Sequence, residues 1–219
     1  GNFGTAGMTV TISDGVTMTV AANKVDGSDG PTLQKDGSSG TGIVAVRIGT
    51  ADAAVDMTSI SSSGAASTTF TVFEDTTFTG TLAATTSVAA SQTLTLTAAK
   101  ATGKTITGAA GGNGSVIVTA LDQTLDAVLD NITADTGNGG SVKGTFLTSG
   151  EFTGSFGAAG MTVSISDGAT MTVAANLVDG GTGPTLQKVG SGSGAVAVRI
   201  GDADKAVDMT TISSSGAAS

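Results

Sequence analysis

The chain is 219 residues long, with 9 basic and 18 acidic residues and a formal net charge of −9. That balance excludes a nucleic-acid footprint, which needs basic charge against phosphate, and argues against binding to an anionic membrane surface. Cys, His, Trp and Tyr are all absent, which removes disulfides, thiolate and imidazole metal ligands and the commonest general base.

In chain order, MTVTIS at 8–13 comes first. Met8, Val10 and Ile12 fall on one face and Thr9, Thr11 and Ser13 on the other, the two-residue period of a half-buried strand. Asp14-Gly15 is a turn signal, followed by TMTV at 17–20 and a second turn signal at Asp26-Gly27. IVAVRI at 43–48 alternates again, with Arg47 opposite Val44, Val46 and Ile48. TLTLTA at 93–98 sets Leu94 and Leu96 against Thr93, Thr95 and Thr97, and Gly111-Gly112 and Asp167-Gly168 mark further turns. One stretch departs from alternation. In LDQTLDAVLDNI at 121–132, Leu121, Leu125, Val128, Leu129 and Ile132 share a helical face, which predicts a short helix with weaker relatives at 51–60 and 203–212.

The segments repeat. GMTVTISDGVTMTVAAN at 7–23 returns as GMTVSISDGATMTVAAN at 160–176. Phe3–Ser67 aligns with Phe156–Ser219 at roughly four-fifths of positions. A fainter copy lies between them: TMTVAANKVDG at 17–27 aligns with TLTLTAAKATG at 93–103, and TFTVFEDTTFTGTL at 69–82 resembles TFLTSGEFTGSF at 145–156. Three units follow, at 1–76, 77–152 (divergent) and 153–219 (a truncated close copy of the first). Neither end reads as a cap, so the sequence is expected to be a window on a longer array, or to dock at its ends onto other copies.

Short strands at regular spacing predict an all-β fold. A parallel β-helix-like solenoid is favoured, because small side chains suit stacked identical positions and a unit of this size is small for an immunoglobulin-like sandwich. Tandem small β-sandwiches, with FTG-type segments as linkers or shared strands, are the alternative. TLTLTAAKATGKTITGAAGGNGSVIVTAL and LDNITADTG resemble repeats of very long bacterial surface and adhesin-type proteins, which are Thr-, Gly- and Asp-rich and Cys-free. The resemblance implies an extracellular or cell-surface structural role. It carries no functional residue across.

No catalytic constellation is legible. The two glutamates, Glu74 and Glu151, lie in connecting segments, and neither a G-x-S-x-G elbow nor a phosphate loop is present. The chain is therefore read as non-enzymatic and without a cofactor, calcium being the one candidate ion. DGSDG at 26–30 offers Asp26 and Asp29, with Asp36 nearby. Its counterpart DGGTG loses Asp29 to Thr182, and Asp36 becomes Val189, which favours plain Asp-Gly turns. Four acidic positions do persist between the close copies, and these are the weak calcium candidates: Asp14 and Asp167, Asp26 and Asp179, Asp52 and Asp204, Asp56 and Asp208. Arg47 and Arg199 are expected at the rim, paired with an aspartate or bridging stacked units. Asn113-Gly-Ser and Asn131-Ile-Thr match the N-glycosylation acceptor pattern.

The expected function is a structural segment of an extracellular fibre, filament, sheath or surface layer. Its expected partners are copies of itself, with no nucleic acid and no membrane insertion. The alternative is a stalk or ligand-binding module of a large bacterial adhesin, stabilised by calcium and carrying a glycan or other surface ligand.

Overall fold

The computed structural model describes Phe3 and residues 7–26, 30–36, 41–60, 62–63, 67–157, 160–179, 183–201, 207 and 214–215. Asp29, Asp204, Asp208 and all but Val207 of the turn expected over 203–212 lie outside these described residues.

The chain is all-β with parallel sheets. Its strands are β1 (Thr9–Ile12), β2 (Thr17–Ala21), β3 (Thr32–Lys35), β4 (Ile43–Ile48), β5 (Ser62–Ser63), β6 (Ser67–Val72), β7 (Thr76–Thr77), β8 (Thr85–Val88), β9 (Thr93–Thr97), β10 (Thr105–Gly108), β11 (Ser115–Thr119), β12 (Ile132–Thr133), β13 (Val142–Phe146), β14 (Gly150–Phe152), β15 (Met161–Ile165), β16 (Thr170–Ala174), β17 (Thr185–Lys188), β18 (Ala195–Arg199) and β19 (Ser214–Ser215). Each ladder joins a strand to the next but one. Odd strands pair with odd in the orders β1-β3-β5 and β7 through β19, and even with even in the orders β2 through β12 and β14-β16-β18. All these ladders are parallel, whereas immunoglobulin-like sandwiches pair antiparallel strands.

Alternation in the sequence becomes rows across the ladders. Leu94, Val116, Val142 and Met161 stand in one row, and Leu96, Val118, Gly144, Val163 and Leu186 in the next. All but Gly144 belong to one apolar core that runs from Ile12 to Leu186. Each larger aliphatic so buried stabilises by about 1.5–3 kcal/mol. A Cβ at Gly144 would lie 2.7 Å from the ends of the Met161 and Leu121 side chains, which would have to shift to admit it. The row is filled from its two neighbours instead. Thr86, also buried, has a hydroxyl with no hydrogen-bond partner among the described residues.

The sequence repeat is a repeat of elements. β1 through β5 correspond to β15 through β19, skipping none of the intervening even strands, and the 3-10 turn Ala22–Lys24 corresponds to Ala175–Leu177. Gly15 and Gly168 take φ of 71° and 74° in the Asp-Gly turns, a conformation that a Cβ would strain. In the middle copy β9 matches β2, and the short α-helix Ala98–Ala101 stands where the 3-10 turn Ala22–Lys24 stands in the first.

The helix expected over 121–132 does not form. A 3-10 turn at Leu121–Gln123 is followed by turns and then β12. Leu121, Leu129 and Ile132 are buried, but Val128 is 44% exposed. The reason is competition for the backbone: the Leu129 amide donates to the Ser155 carbonyl and the Ser155 amide to the Ala127 carbonyl. These bonds to a later segment replace the local bonds of a helix.

Candidate functional site

Three groups of contacts recur along the chain. The first is a pair of FTG junctions. The amides of Thr79 and Gly80 and the Thr79 hydroxyl all donate to the Ala53 carbonyl. The same atoms of Thr153 and Gly154 donate to the Leu125 carbonyl. A Cβ at Gly80 would collide with the Val55 carbonyl oxygen, and one at Gly154 with that of Ala127. Phe78 and Phe152, which open the two motifs, are buried. The FTG segments are bonded tightly to earlier segments of the chain, and glycine is required there for lack of room rather than for positive φ.

The second group is acidic. Asp14 Oδ1 accepts from the Thr41 amide at 2.8 Å, and its counterpart Asp167 accepts from the amide and hydroxyl of Ser193 at 2.6 Å each. Asp52, 2% exposed, takes the Asn23 amide on one oxygen and the Gly49 amide on the other. Asp56 caps the 3-10 turn Met57–Ser59 by accepting from Thr58. Asp26 and Asp179 follow the equivalent turns Ala22–Lys24 and Ala175–Leu177. Among the described residues, no three acidic side chains converge to hold a metal ion. The described candidates are spread along the chain, and four of the six, Asp14, Asp52, Asp56 and Asp167, accept from backbone amides.

Sequence reasoning missed further members of this set. Glu74 accepts from the Thr50 amide and hydroxyl, Asp75 from the Thr93 amide, Asp122 from the Leu147 amide and Thr148 hydroxyl, and Asp135 from the Gly111 amide and the Asn138 side chain. Burial pushes the Asp122 carboxyl up, but the bonds from Thr148 and Leu147 outweigh it and leave it below its ordinary value. The Gly111 amide holds Asp135 low, and the Ser193 hydroxyl and amide hold Asp167 low. A carboxylate that accepts several hydrogen bonds favours its charged form.

The third group is basic. Arg199 forms an ion pair with Glu151, two strands away across β16. Arg47 instead lies over the Phe73 ring, 4.0 Å from its centroid. The expected aspartate partner is thus replaced by a glutamate in one copy and an aromatic face in the other. Glu151, Ala174, Arg199, Ile200 and Gly201 line a shallow cleft of about 200 Å³, below the ~300–1,000 Å³ usual for small-molecule sites.

Covering of the strands differs between the copies. Met8 is 42% exposed where Met161 is 2%. Val10 and Met18 are half-buried where Val163 and Met171 are fully buried. At the other end Ile200 is 66% exposed and its counterpart Ile48 fully buried. Among the described residues, no helix is long and apolar enough to cross a membrane. Compared with protein-family models, curated proteins and solved structures, the chain matches none.

Proposed function

We propose that the chain is a structural segment of an extracellular fibre, filament, sheath or surface layer, wound as a parallel β-solenoid and acting by end-to-end β assembly. The observation that carries the reading is the unequal covering of one sequence. Met161 and Met171 are sealed by the strands before them, while Val10 and Met18, in nearly the same sequence, lie half-buried on strands at the edges of their sheets. Ile48 and Ile200 repeat the contrast at the opposite side of the repeat. An edge of that kind is a template for another strand. A contact of that edge with a different face of another copy is heterologous and, unless it closes into a ring, grows a filament. The units 1–76, 77–152 and 153–219 are read as successive stretches of one winding. A location outside the cell follows from the resemblance to bacterial surface repeats.

Electron microscopy and sedimentation of the purified chain test this. Regular fibres or a concentration-dependent series of head-to-tail oligomers are expected. A chain that stays a monomeric rod at high concentration, and whose melting temperature falls on chelation, would overturn the reading in favour of an adhesin stalk.

A further inference from the structure

The middle unit carries two Asn-Gly pairs, Asn113-Gly114 and Asn138-Gly139, and the fold treats them differently. The Asn138 side-chain amide donates to Asp135 Oδ2 at 2.9 Å, and the Gly139 amide donates to the Thr136 carbonyl at 3.3 Å. Asn113 is exposed, and neither its side-chain nitrogen nor the Gly114 amide donates a hydrogen bond among the described residues. Its side-chain oxygen instead accepts from the Ser91 hydroxyl at 2.9 Å.

Ser91 is held there in an unusual backbone. Four turns share one form, in which the fourth residue's amide donates to the first residue's carbonyl: Val16 to Ser13, Gln92 to Ala89, Gly112 to Ala109 and Ala169 to Ser166. The third residue of each has positive φ: 71° at Gly15, 62° at Ser91, 71° at Gly111 and 74° at Gly168. That position favours glycine, and Ser91 is the exception among the four. Its extra atoms make the one bond from this turn to Asn113 in the next. A side chain kept in a strained conformation points to a role for that side chain.

We infer that Asn113-Gly114 is a self-modification site, with Ser91 as its hydrogen-bond donor. A glycine has no side chain to hinder its main-chain nitrogen, and the Gly114 nitrogen attacks Asn113 Cγ. A bond from that nitrogen to Cγ forms, and the bond from Cγ to the side-chain nitrogen breaks. The side-chain nitrogen leaves as ammonia, carrying the proton that Gly114 gives up. Water then adds to either carbonyl of the cyclic imide, and ring opening leaves aspartate or isoaspartate at position 113. The Ser91 hydroxyl donates to the oxygen on which negative charge gathers as Cγ becomes tetrahedral. The attack moves the exposed Asn113 side chain rather than the packed glycine. The isoaspartate product, however, threads the main chain through the former side chain and lengthens it by one carbon. Gly114 has no slack for that. A Cβ on it would lie 2.6 Å from the Val88 carbonyl oxygen and 2.8 Å from that of Ala89, and the next residue opens the β9–β11 ladder, with Ser115 opposite Thr93. The modification therefore loosens the start of β11.

The test incubates the full chain in mildly alkaline buffer. Tandem mass spectrometry then reads both pairs in one tryptic peptide, residues 105–143. In the folded chain Asn113 should convert at least about tenfold faster than Asn138, since only there is the nucleophile free to reach its target. In denaturant, where the ties are gone, the two rates should agree within about twofold. Ser91→Gly suits the positive φ and keeps the turn. It should slow conversion at Asn113 by about threefold, with water replacing the lost donor in part, and leave Asn138 unchanged. Converted protein should lose hydrogen-exchange protection over residues 115–119. Conversion of Asn138 first, equal rates in the folded chain, or no conversion at Asn113 while the denatured chain reacts would overturn the site. An unchanged rate in Ser91→Gly would overturn the part given to the hydroxyl, and intact protection in fully converted protein the loosening of β11.

Discussion

Residues 7–21 and 160–174 are nearly one sequence in two settings. In the later copy every inward side chain of β15 and β16 is sealed, whereas in the earlier one Ile12 and Val20 are buried and Met8, Val10 and Met18 are not. Propensity and pattern are equal in the two, so neither sets the burial. The turn stacked before the strand does: β13 and β14 in one case, and in the other the open edge. Burial at these positions depends on which strand is paired beside them as well as on the residues of the strand itself.

The harshest way to break the comparison is to disturb the covering turn. Gly154→Ala forces a methyl into the Ala127 carbonyl and should cost about 3 kcal/mol or more, since backbone cannot yield as a side chain can. Denaturant unfolding measures it, with loss of protection expected first in β14 and β16. A loss below ~1 kcal/mol would show that the junction relaxes. Next in size is one substitution made in both copies. Met161→Ala removes a side chain that is 2% exposed and should cost about 2–5 kcal/mol. Met8→Ala, at 42% exposure, should cost less than about 1 kcal/mol in the monomer. Equal losses would mean that the edge is covered in solution.

The smallest effect concerns acid. Asp167, Asp135 and Asp122 titrate below their ordinary value of 3.8. Each group's contribution is therefore present above that value and is lost as pH falls through it toward the depressed one. Melting temperature should drop as pH goes from about 5 to below 3, and Asp167→Asn should make that slope shallower. An unchanged slope would show that the Ser193 bond carries no net stability.

Much of this was legible in the residues. The alternating runs are strands, the two close copies align element for element, and the Asp-Gly pairs at 14–15 and 167–168 are turns with positive φ at Gly15 and Gly168, while Gly27 of the pair at 26–27 lies outside the described residues. The 121–132 segment misled because its aliphatic spacing satisfies a helix while its backbone is claimed by residues 153–155. The acidic set was half-visible. Asp14 and Asp167 stood out by recurring, but Glu74, Asp122 and Asp135 did not. Their partners are mostly main-chain amides some 24 to 25 residues away, and an amide leaves no letter in the sequence. The FTG junctions were visible as words without meaning, since nothing local says that a glycine faces another turn's carbonyl. The uneven covering of the two copies could not be read at all, because the local sequence is the same in both.

The carboxylate that accepts from a distant amide has an evolutionary corollary. Asp14 binds the amide of a threonine and Asp167 that of a serine; the letter drifted and the bond stayed. Nineteen of the twenty amino acids can supply that donor, and proline alone cannot. In both copies the bond depends on the aspartate and on the path of the main chain, not on the identity of the residue whose amide it holds.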